Sequence, residues 1–580
     1  MDRTLSLPLA LAFAATLGAA PATSPATAPA APASPFGIGG DYKTAQTPEK
    51  WIPQMAAIGI KVNRNCRVHW QSVEPREGEW DWTAVDRRLQ CLAANGIETG
   101  GVFIGSPSWN KADLPGTLPV NNLAGWSRYV TAVVGHCKGQ VKYWEVWNEP
   151  PNFTGKEQTA ADYAKLMVAT YDAAKAADPD CMVGLAAKSA HINYLEQAIQ
   201  AGARDHFDYL TLHPYEVLGG VLRNQGTEAL YMNIVPTVRK MLARVNPAKV
   251  DAPVWFTELG VDSSPVGKDY GMGADIAAQG LVKAYTMGLA QGVACINWFE
   301  GMDGDSGAMG LLDASGKPRL TYTAMQQMIR HLGPQPAYLG WVLLNGKHYG
   351  FVFQGAQGTV LVTWAYKGIP DQVDFGQMVS LGDPLTGKAF DAGKLELTKA
   401  PVIVVNAPAN LVAQAKANKN NPLPWEGDYA NAESVSITFG EKTVENGLHT
   451  QAGDAVAADV LAYGGSARAG EIPGGNMFMV DPNFLSSTPT PIRITVVVRR
   501  NEANDNAGFK LMYEAPVRGG YKTANGWFTV PDNQRWHTKS WEIADAQFVG
   551  MYGYSFSLDS GGNKLNNYYL QSVTVEKLEK

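Results

Sequence analysis

Cysteine is scarce in this chain, five in 580 residues, and Cys66, Cys91, Cys137, Cys181 and Cys295 all lie in its first half or just beyond. The number is odd, and no pair has the spacing of a disulfide framework or a zinc motif. Buried free thiols are the expectation, with one or two bridges as the alternative in an exported protein. An excess of positive charge is also missing. Lys and Arg number 48 against 54 Asp and Glu, a net charge of −6, so the basic footprint of a nucleic-acid binder is absent. No apolar run reaches the roughly 20 residues of a membrane-spanning helix. The longest, residues 5–20, follows Asp2-Arg3 and ends in small residues, which is the pattern of a secretory signal peptide cleaved near Ala20. The expected location is therefore secreted or periplasmic. Internal repeats of solenoid length are absent as well.

What the chain does have is aromatic surface and rhythm. It carries 16 Trp and 23 Tyr, whose flat faces suit either core packing or stacking on sugar rings. Residues 21–35 consist of Pro, Ala, Thr and Ser up to the last position and read as a linker. From 36 to 334, eight short apolar runs alternate with helical patterns. The runs are FGIG (36–39), GIKVNR (59–64), GIETGGVFIG (96–105), VKYWEVW (141–147), CMVGLAA (181–187), FDYLTLH (207–213), VWFTEL (254–259) and VACINWFE (293–300). Helical patterns cover 47–58, 82–95, 160–177 and 275–291, among others. Eight βα units in this length predict an α/β fold, a parallel (β/α)8 TIM barrel with its functional groups at the C-terminal strand ends. Residues 335–412 switch to a period-2 pattern and predict a small β-domain packed on the barrel. Residues 413–426, with QAKANKNNPLP, read as a polar linker. Residues 427–580 are again all-β and predict a C-terminal β-sandwich.

Two of the strand-like runs end in glutamate. VKYWEVWNEP closes on Asn148-Glu149-Pro150, and PVWFTELG carries Glu258. A carboxylate is costly inside an apolar strand, so a glutamate at each end points to a shared pocket rather than to packing. Two facing carboxylates are the equipment of glycoside hydrolysis, one protonating the leaving oxygen and the other attacking the anomeric carbon. The acid must hold its proton, and a neighbouring anion such as Glu258 is expected to raise the pKa of Glu149. Glu145 shares strand parity with Glu149 and reads as a buried, paired structural carboxylate.

The segment WEVWNEPPN resembles the fourth-strand motif of glycoside hydrolase clan A, and WFTELG resembles its seventh-strand nucleophile motif. GIKVNRNCRVHWQSVEPREGEWDW (59–82) is similar to the second-strand region of family 39 and related family 5 enzymes. Its NRNCRVHW stretch is crowded, one residue longer than that pattern. LTLHPY (210–215) resembles their sixth-strand His-x-Tyr, and NWFEG (297–301) their eighth strand. The resemblance spans about residues 36–410, with family 39 closest in look and family 5 second. It implies Glu149 as acid/base, Glu258 as nucleophile and Asn148 as the partner of the sugar 2-hydroxyl. It also implies Arg64 as the arginine that keeps the nucleophile ionised, with Arg67 as the rival match. His213 and Tyr215 would line the subsite and orient the nucleophile, and Trp298 would form the aromatic floor.

Four further positions stay open between contact and packing. Trp109, in SPSWN, either stacks on a sugar or packs, and Trp144 and Trp147 are either subsite walls or barrel packing. Glu300 either contacts a substrate hydroxyl or merely ends a strand. Asp303 and Asp305, in MDGDSG, suggest a calcium loop only loosely and read better as a turn. The aromatics of GWFTV and RWHTKSW make residues 427–580 a candidate carbohydrate-binding module.

The expectation is a secreted, retaining β-glycoside hydrolase acting on an oligo- or polysaccharide, with no redox cofactor and no catalytic metal. A transglycosylase and a catalytically silent carbohydrate-binding protein are the alternatives. Nucleic acid and a membrane span are not expected, and oligomeric state is left open.

Overall fold

The structure, a computed structural model, describes residues 32–40, 47–66, 68–224, 226–268, 270–304, 306–439, 443–450, 459–463, 465–470, 476–562 and 565–579. The signal-peptide reading (1–20), most of the first linker, Arg67 and Asp305 lie outside them.

Eight parallel strands close into a barrel: β1 (Phe36–Ile38), β2 (Val62–Arg64), β3 (Glu98–Phe103), β4 (Val141–Val146), β5 (Met182–Ala186), β6 (Tyr209–Leu212), β7 (Val254–Leu259) and β8 (Cys295–Trp298). Closure is direct, with Phe36 paired to Ile296 on one side and Gly37 to Val62 on the other. One end of the barrel is plugged by Val62, Tyr143, Met182, Tyr209, Trp255 and Cys295. Such rings fit because neighbouring strand positions are small. A Cβ on Gly184 would come within 2.5 Å of the Tyr209 ring. Layers of inward side chains make the interior a packed core and leave only the C-terminal rim for chemistry.

Helices surround the barrel where the sequence has an apolar stripe. Ala160–Ala177 starts at Thr159, whose backbone N–H donates to the Asp162 carboxylate at 3.0 Å, one half of a capping box. The helices Thr83–Ala94 and Ala274–Ala290 lie within one residue of their predicted limits. Packing extends ahead of β1, where Pro32, Ser34 and Pro35 are buried.

A six-stranded antiparallel sheet follows: β9 (Ala337–Leu344), β10 (His348–Gly355), β11 (Gly358–Thr363), β12 (Asp371–Gly382), β13 (Ala389–Leu397) and β14 (Val402–Val405), in the order β13-β12-β14-β11-β10-β9. Residues 345–347 join β9 to β10 in a three-residue hairpin loop, with Asn345 and Gly346 both at positive φ. The segment read as a polar linker, 413–426, begins inside a helix, Ala409–Asn418. Its small residues allow a close approach to β9. Ala415 is fully buried, and its carbonyl would lie 1.7 Å from a Cβ on Gly340. Trp425, at the far end of the same segment, is also fully buried.

Residues from Ser434 to Lys577 form two antiparallel sheets with an apolar core of their own. This sandwich is docked on the barrel. Gln547 donates to Glu196 at 2.6 Å, Asn193 donates to the Gln547 carbonyl at 3.0 Å, and Arg244 donates to the Ser487 carbonyl at 2.9 Å. Val549 and Met551 belong to the barrel's core cluster. Among the described residues no helix is long and apolar enough to cross a membrane. All five cysteines are free thiols.

Candidate active site

The C-terminal ends of β2, β4, β6 and β7 deliver a connected set of charges. Arg64, the last residue of β2, donates from Nε to Glu145 at 2.7 Å and from Nη2 to Asn148 Oδ1 at 2.8 Å, and its Nη1 pairs with Glu258. Glu145 points inward from β4 and also accepts from Thr211 at 2.8 Å and Thr257 at 3.1 Å. Burial alone would raise Glu145, but the Arg64 charge and the His213 hydrogen bond outweigh it and bring it down to about 2. The same carboxylates hold Arg64 well above its usual range against burial. Glu145 is thus a buried, ion-paired carboxylate that fixes Arg64, and Arg64 in turn reaches both Asn148 and Glu258.

His213, just past β6, bridges the two candidate catalytic carboxylates. Its Nδ1 is 2.9 Å from Glu149 Oε1 and 3.6 Å from Glu258 Oε2, while Nε2 meets the Thr257 hydroxyl at 3.0 Å. Burial lowers His213, yet the Glu258 charge and the bonds to Glu145 and Glu149 raise it to about 9. Tyr215 donates its hydroxyl to Glu258 Oε2 at 3.2 Å. Glu149, Glu258 and His213 place donor oxygens and nitrogen within 4.8 Å of one another. Such a set could hold a cation only if His213 were neutral and Arg64 released Glu258. The guanidinium already supplies the compensating charge.

One expectation is corrected here. Glu149 is lowered, not raised, in the free site. Burial pushes it up, but the charged His213 imidazole, Asn152 and Arg64 more than offset it. The sequence pattern contained no sign that His213 would face the acid/base candidate.

Backbone geometry aims the fourth-strand segment. Trp147, Glu149 and Phe153 all adopt positive φ (67°, 50° and 54°). Each such residue costs on the order of 1–3 kcal/mol and persists only where the surroundings hold it. Trp147 donates from its backbone to the Phe103 carbonyl at 2.8 Å and from its indole to the Phe153 carbonyl at 3.0 Å. Lys188 donates to the Pro150 carbonyl at 3.1 Å.

A cavity of about 250 Å³ opens over this network, lined by Arg64, Asn65, His69, Asn148, Phe153, Glu258 and Phe299, among others. Phe153 and Phe299 escaped the sequence reading. The signal available for each was only its place beside a motif, in NEPPNF and NWFE. Trp298 ends β8 but is fully buried, with its indole N–H on the Met309 carbonyl at 3.3 Å, so it presents no face to solvent. Trp109 donates to the Glu74 carbonyl at 2.8 Å and packs edge-on against Trp70. It does not line the cavity. Glu300 is fully buried and accepts from the Gly304 backbone at 3.2 Å. Trp144 and Trp147 are buried in the barrel core. Asp303 pairs with Arg319 and accepts from the Gly310 backbone at 2.8 Å, which is a turn arrangement. In the sandwich, Trp541 is buried and Trp527 is 44% exposed.

Comparison with known proteins agrees with this architecture. The sequence model of glycoside hydrolase family 42, described as beta-galactosidase, matches residues 41–146, the stretch that carries β2, β3 and β4. Endo-1,4-beta-xylanase A of Phanerodontia chrysosporium is 29% identical over 121 residues, 20% of this chain and 29% of the xylanase. The chain therefore spans less than a third of that relative. A family 39 glycoside hydrolase from the gut symbiont Bacteroides cellulosilyticus WH2 superposes with a TM-score of 0.53 at 19% identity, over 65% of this chain and 81% of that one. The fold is a TIM barrel of the kind found in that family 39 structure, followed by antiparallel sheets. In fold, and over part of its sequence, the chain is similar to clan A glycoside hydrolases.

Proposed function

We propose that the protein is a retaining β-glycoside hydrolase of oligo- or polysaccharides, with Glu258 as nucleophile and Glu149 as acid/base. The observation that carries this reading is the approach of the two carboxylates. An oxygen of Glu149 and one of Glu258 lie within 4.8 Å of each other. Retaining pairs stand roughly 5–5.5 Å apart, whereas inverting pairs leave about 6.5–9.5 Å for a water.

In the first step a Glu258 oxygen bonds to the anomeric carbon while the glycosidic oxygen leaves with a proton from Glu149. In the second, Glu149 takes a proton from water, whose oxygen displaces Glu258 and frees the sugar. Arg64 and Tyr215 orient Glu258 through an ion pair and a hydrogen bond. Asn148, fixed by Arg64, faces the position of the sugar 2-hydroxyl. The lowered Glu149 fits this chemistry because its proton is shared. Charged His213 beside ionised Glu149 has the same net charge as neutral His213 beside protonated Glu149, and the two forms differ by a shift along one 2.9 Å bond. A sugar that expels water raises the cost of separated buried charges and favours the neutral pair, with the proton on Glu149.

The test is product analysis across plant, algal and bacterial polysaccharides with wild type, Glu258→Gln and Glu149→Ala. Glu258→Gln should lose activity by a factor on the order of 10⁴ or more. Glu149→Ala should lose about 10²–10⁴ on sugar leaving groups and far less on activated aryl glycosides, which need little acid help. Full activity in either variant would sink the assignment.

A further inference from the structure

A side chain of the C-terminal sandwich, Arg518, reaches the loop that follows Glu149. Arg518 sits in the turn between the strands Gly508–Glu514 and Tyr521–Thr523. Its guanidinium donates to the Gln158 carbonyl at 3.0 Å, the Pro151 carbonyl at 3.2 Å, the Thr154 hydroxyl at 2.8 Å and the Gly155 carbonyl at 3.2 Å. All four acceptors belong to the loop that starts two residues after Glu149. None is a carboxylate, so the contact is a geometric grip and not an ion pair. The planar fork suits that task, because it presents several donors in a fixed arrangement.

Arg518 is itself held from the barrel. Burial lowers His191 to about 4, which keeps it neutral, and its Nε2–H donates to the Arg518 carbonyl at 3.0 Å. Ala190 next to it donates to the Met551 carbonyl at 3.3 Å. Gly520 closes the turn at φ 81°, where a Cβ would lie 2.2 Å from the Met551 sulfur.

The gripped loop follows two of the strained residues described above, Trp147 and Glu149. It also carries Phe153, which is 60% exposed at the lip of the catalytic cavity. A loop of polar residues with three left-handed positions nearby has no apolar core to hold it. The barrel fixes its start through Trp147 and Lys188 and its end through Gln158, whose side chain accepts from the Leu118 backbone N–H at 2.9 Å and donates to the Leu118 carbonyl at 2.8 Å, while Arg518 of the sandwich ties Pro151, Thr154, Gly155 and Gln158 together between these points. The leaving-group sugar must pass on the side of the acid/base, which is the side this loop borders.

We infer that the sandwich is part of the catalytic apparatus, with Arg518 as a positioning residue that sets the acid/base loop and the leaving-group subsite beside Phe153. This rests on the reading of Glu149 as acid/base. It predicts a defect that depends on the leaving group, which simple domain glue would not give.

The experiment uses the full chain with Arg518→Ala and Arg518→Lys. It measures hydrogen exchange of 150–158 and kcat/KM on an oligosaccharide and on an activated aryl glycoside of the same sugar. In Arg518→Ala, exchange in 150–158 should speed up. The oligosaccharide kcat/KM should fall about 10–100-fold, the scale of a small misplacement of a catalytic group, with the aryl glycoside nearly unchanged. Arg518→Lys, a single point charge that cannot span four acceptors, should fall between and guards against misfolding of the alanine variant. Unchanged exchange would overturn the grip. Equal losses on the two substrates would overturn the catalytic role. A wild type without turnover on any glycoside would instead sink the hydrolase reading, and exchange alone would then decide on the grip.

Discussion

Glu145 in the barrel and Glu514 in the sandwich are both strand glutamates shut away from water, yet burial leaves them at opposite ends of the carboxylate range. Glu145 faces a guanidinium and an imidazole and is held down at about 2. Among the described residues no cation pairs with Glu514. Burial raises it to about 8, although the backbone N–H groups of Val549, Gly550 and Met551 donate to it at 2.7–3.0 Å. The difference teaches what each region needs. The barrel must keep several anions ionised within a few ångströms, which only full opposite charges achieve. The sandwich needs an anchor for the 549–551 turn that touches the barrel, and oriented backbone dipoles suffice even if the carboxyl keeps its proton.

The largest effect should come from taking the cation out of the barrel. Arg64→Met leaves Glu145 buried without its main partner and should cost about 3–5 kcal/mol at pH 7. The loss should shrink on acidification toward pH 4, where Glu145, freed from Arg64, can take up a proton. Urea unfolding at both pH values measures it. A cost below about 1 kcal/mol, or one that does not vary with pH, would mean that the two regions do not differ in how they hold charge.

His213 sharpens the same contrast from the side of the base. Its folded value is raised from 6.5 to about 9, so its contribution is complete below pH 6.5 and is lost as pH rises through about 9. The rise corresponds to roughly 3 kcal/mol. Wild type should therefore lose stability between pH 7 and 9.5, and His213→Asn should flatten that slope. The activity should fall over the same interval as the shared proton is lost. Parallel slopes in the two proteins would show that His213 is neutral in the folded state.

Much of this was legible in the sequence because it depends on local pattern. Apolar runs ending at Glu149 and Glu258, with helical stretches between, follow from strand burial and barrel rims, and the same logic put Arg64 and His213 at strand ends. Other features depend on contacts between distant segments. Nothing in LTLHPY says that the imidazole of His213 will turn to Glu149, since that is decided by Thr257 on the other side of the ring. Trp298 and Trp109 belong to the right strand ends, but the Met309 and Glu74 carbonyls that bind their indoles come from loops that no periodicity describes. The helix Ala409–Asn418 runs into the Lys-, Asn- and Pro-rich stretch that reads as a linker, and its close approach to β9 depends on Gly340, 75 positions before Ala415. Arg518 and Glu514 sit in GFKLMYEAPVRGG, which reads as one more strand and turn until the docking of the sandwich gives them partners.

The smallest effect tests the sandwich half of the comparison. Because Glu514 is raised from 4.5 to about 8, the folded chain keeps a proton that the unfolded chain gives up near pH 4.5. Stability attributable to this group is thus greatest below pH 4.5 and declines as pH rises to about 8, the opposite trend to Glu145, whose contribution disappears as pH falls through about 2. Glu514→Gln removes the titration and deprives one of three backbone N–H groups of its acceptor, at a cost of about 1–3 kcal/mol at pH 5. Calorimetric melting from pH 4.5 to 8 should show the wild type converging on the variant as pH rises. If the two curves stay parallel, the backbone donors alone keep Glu514 ionised, and a cation is not what separates the barrel's buried glutamate from that of the sandwich.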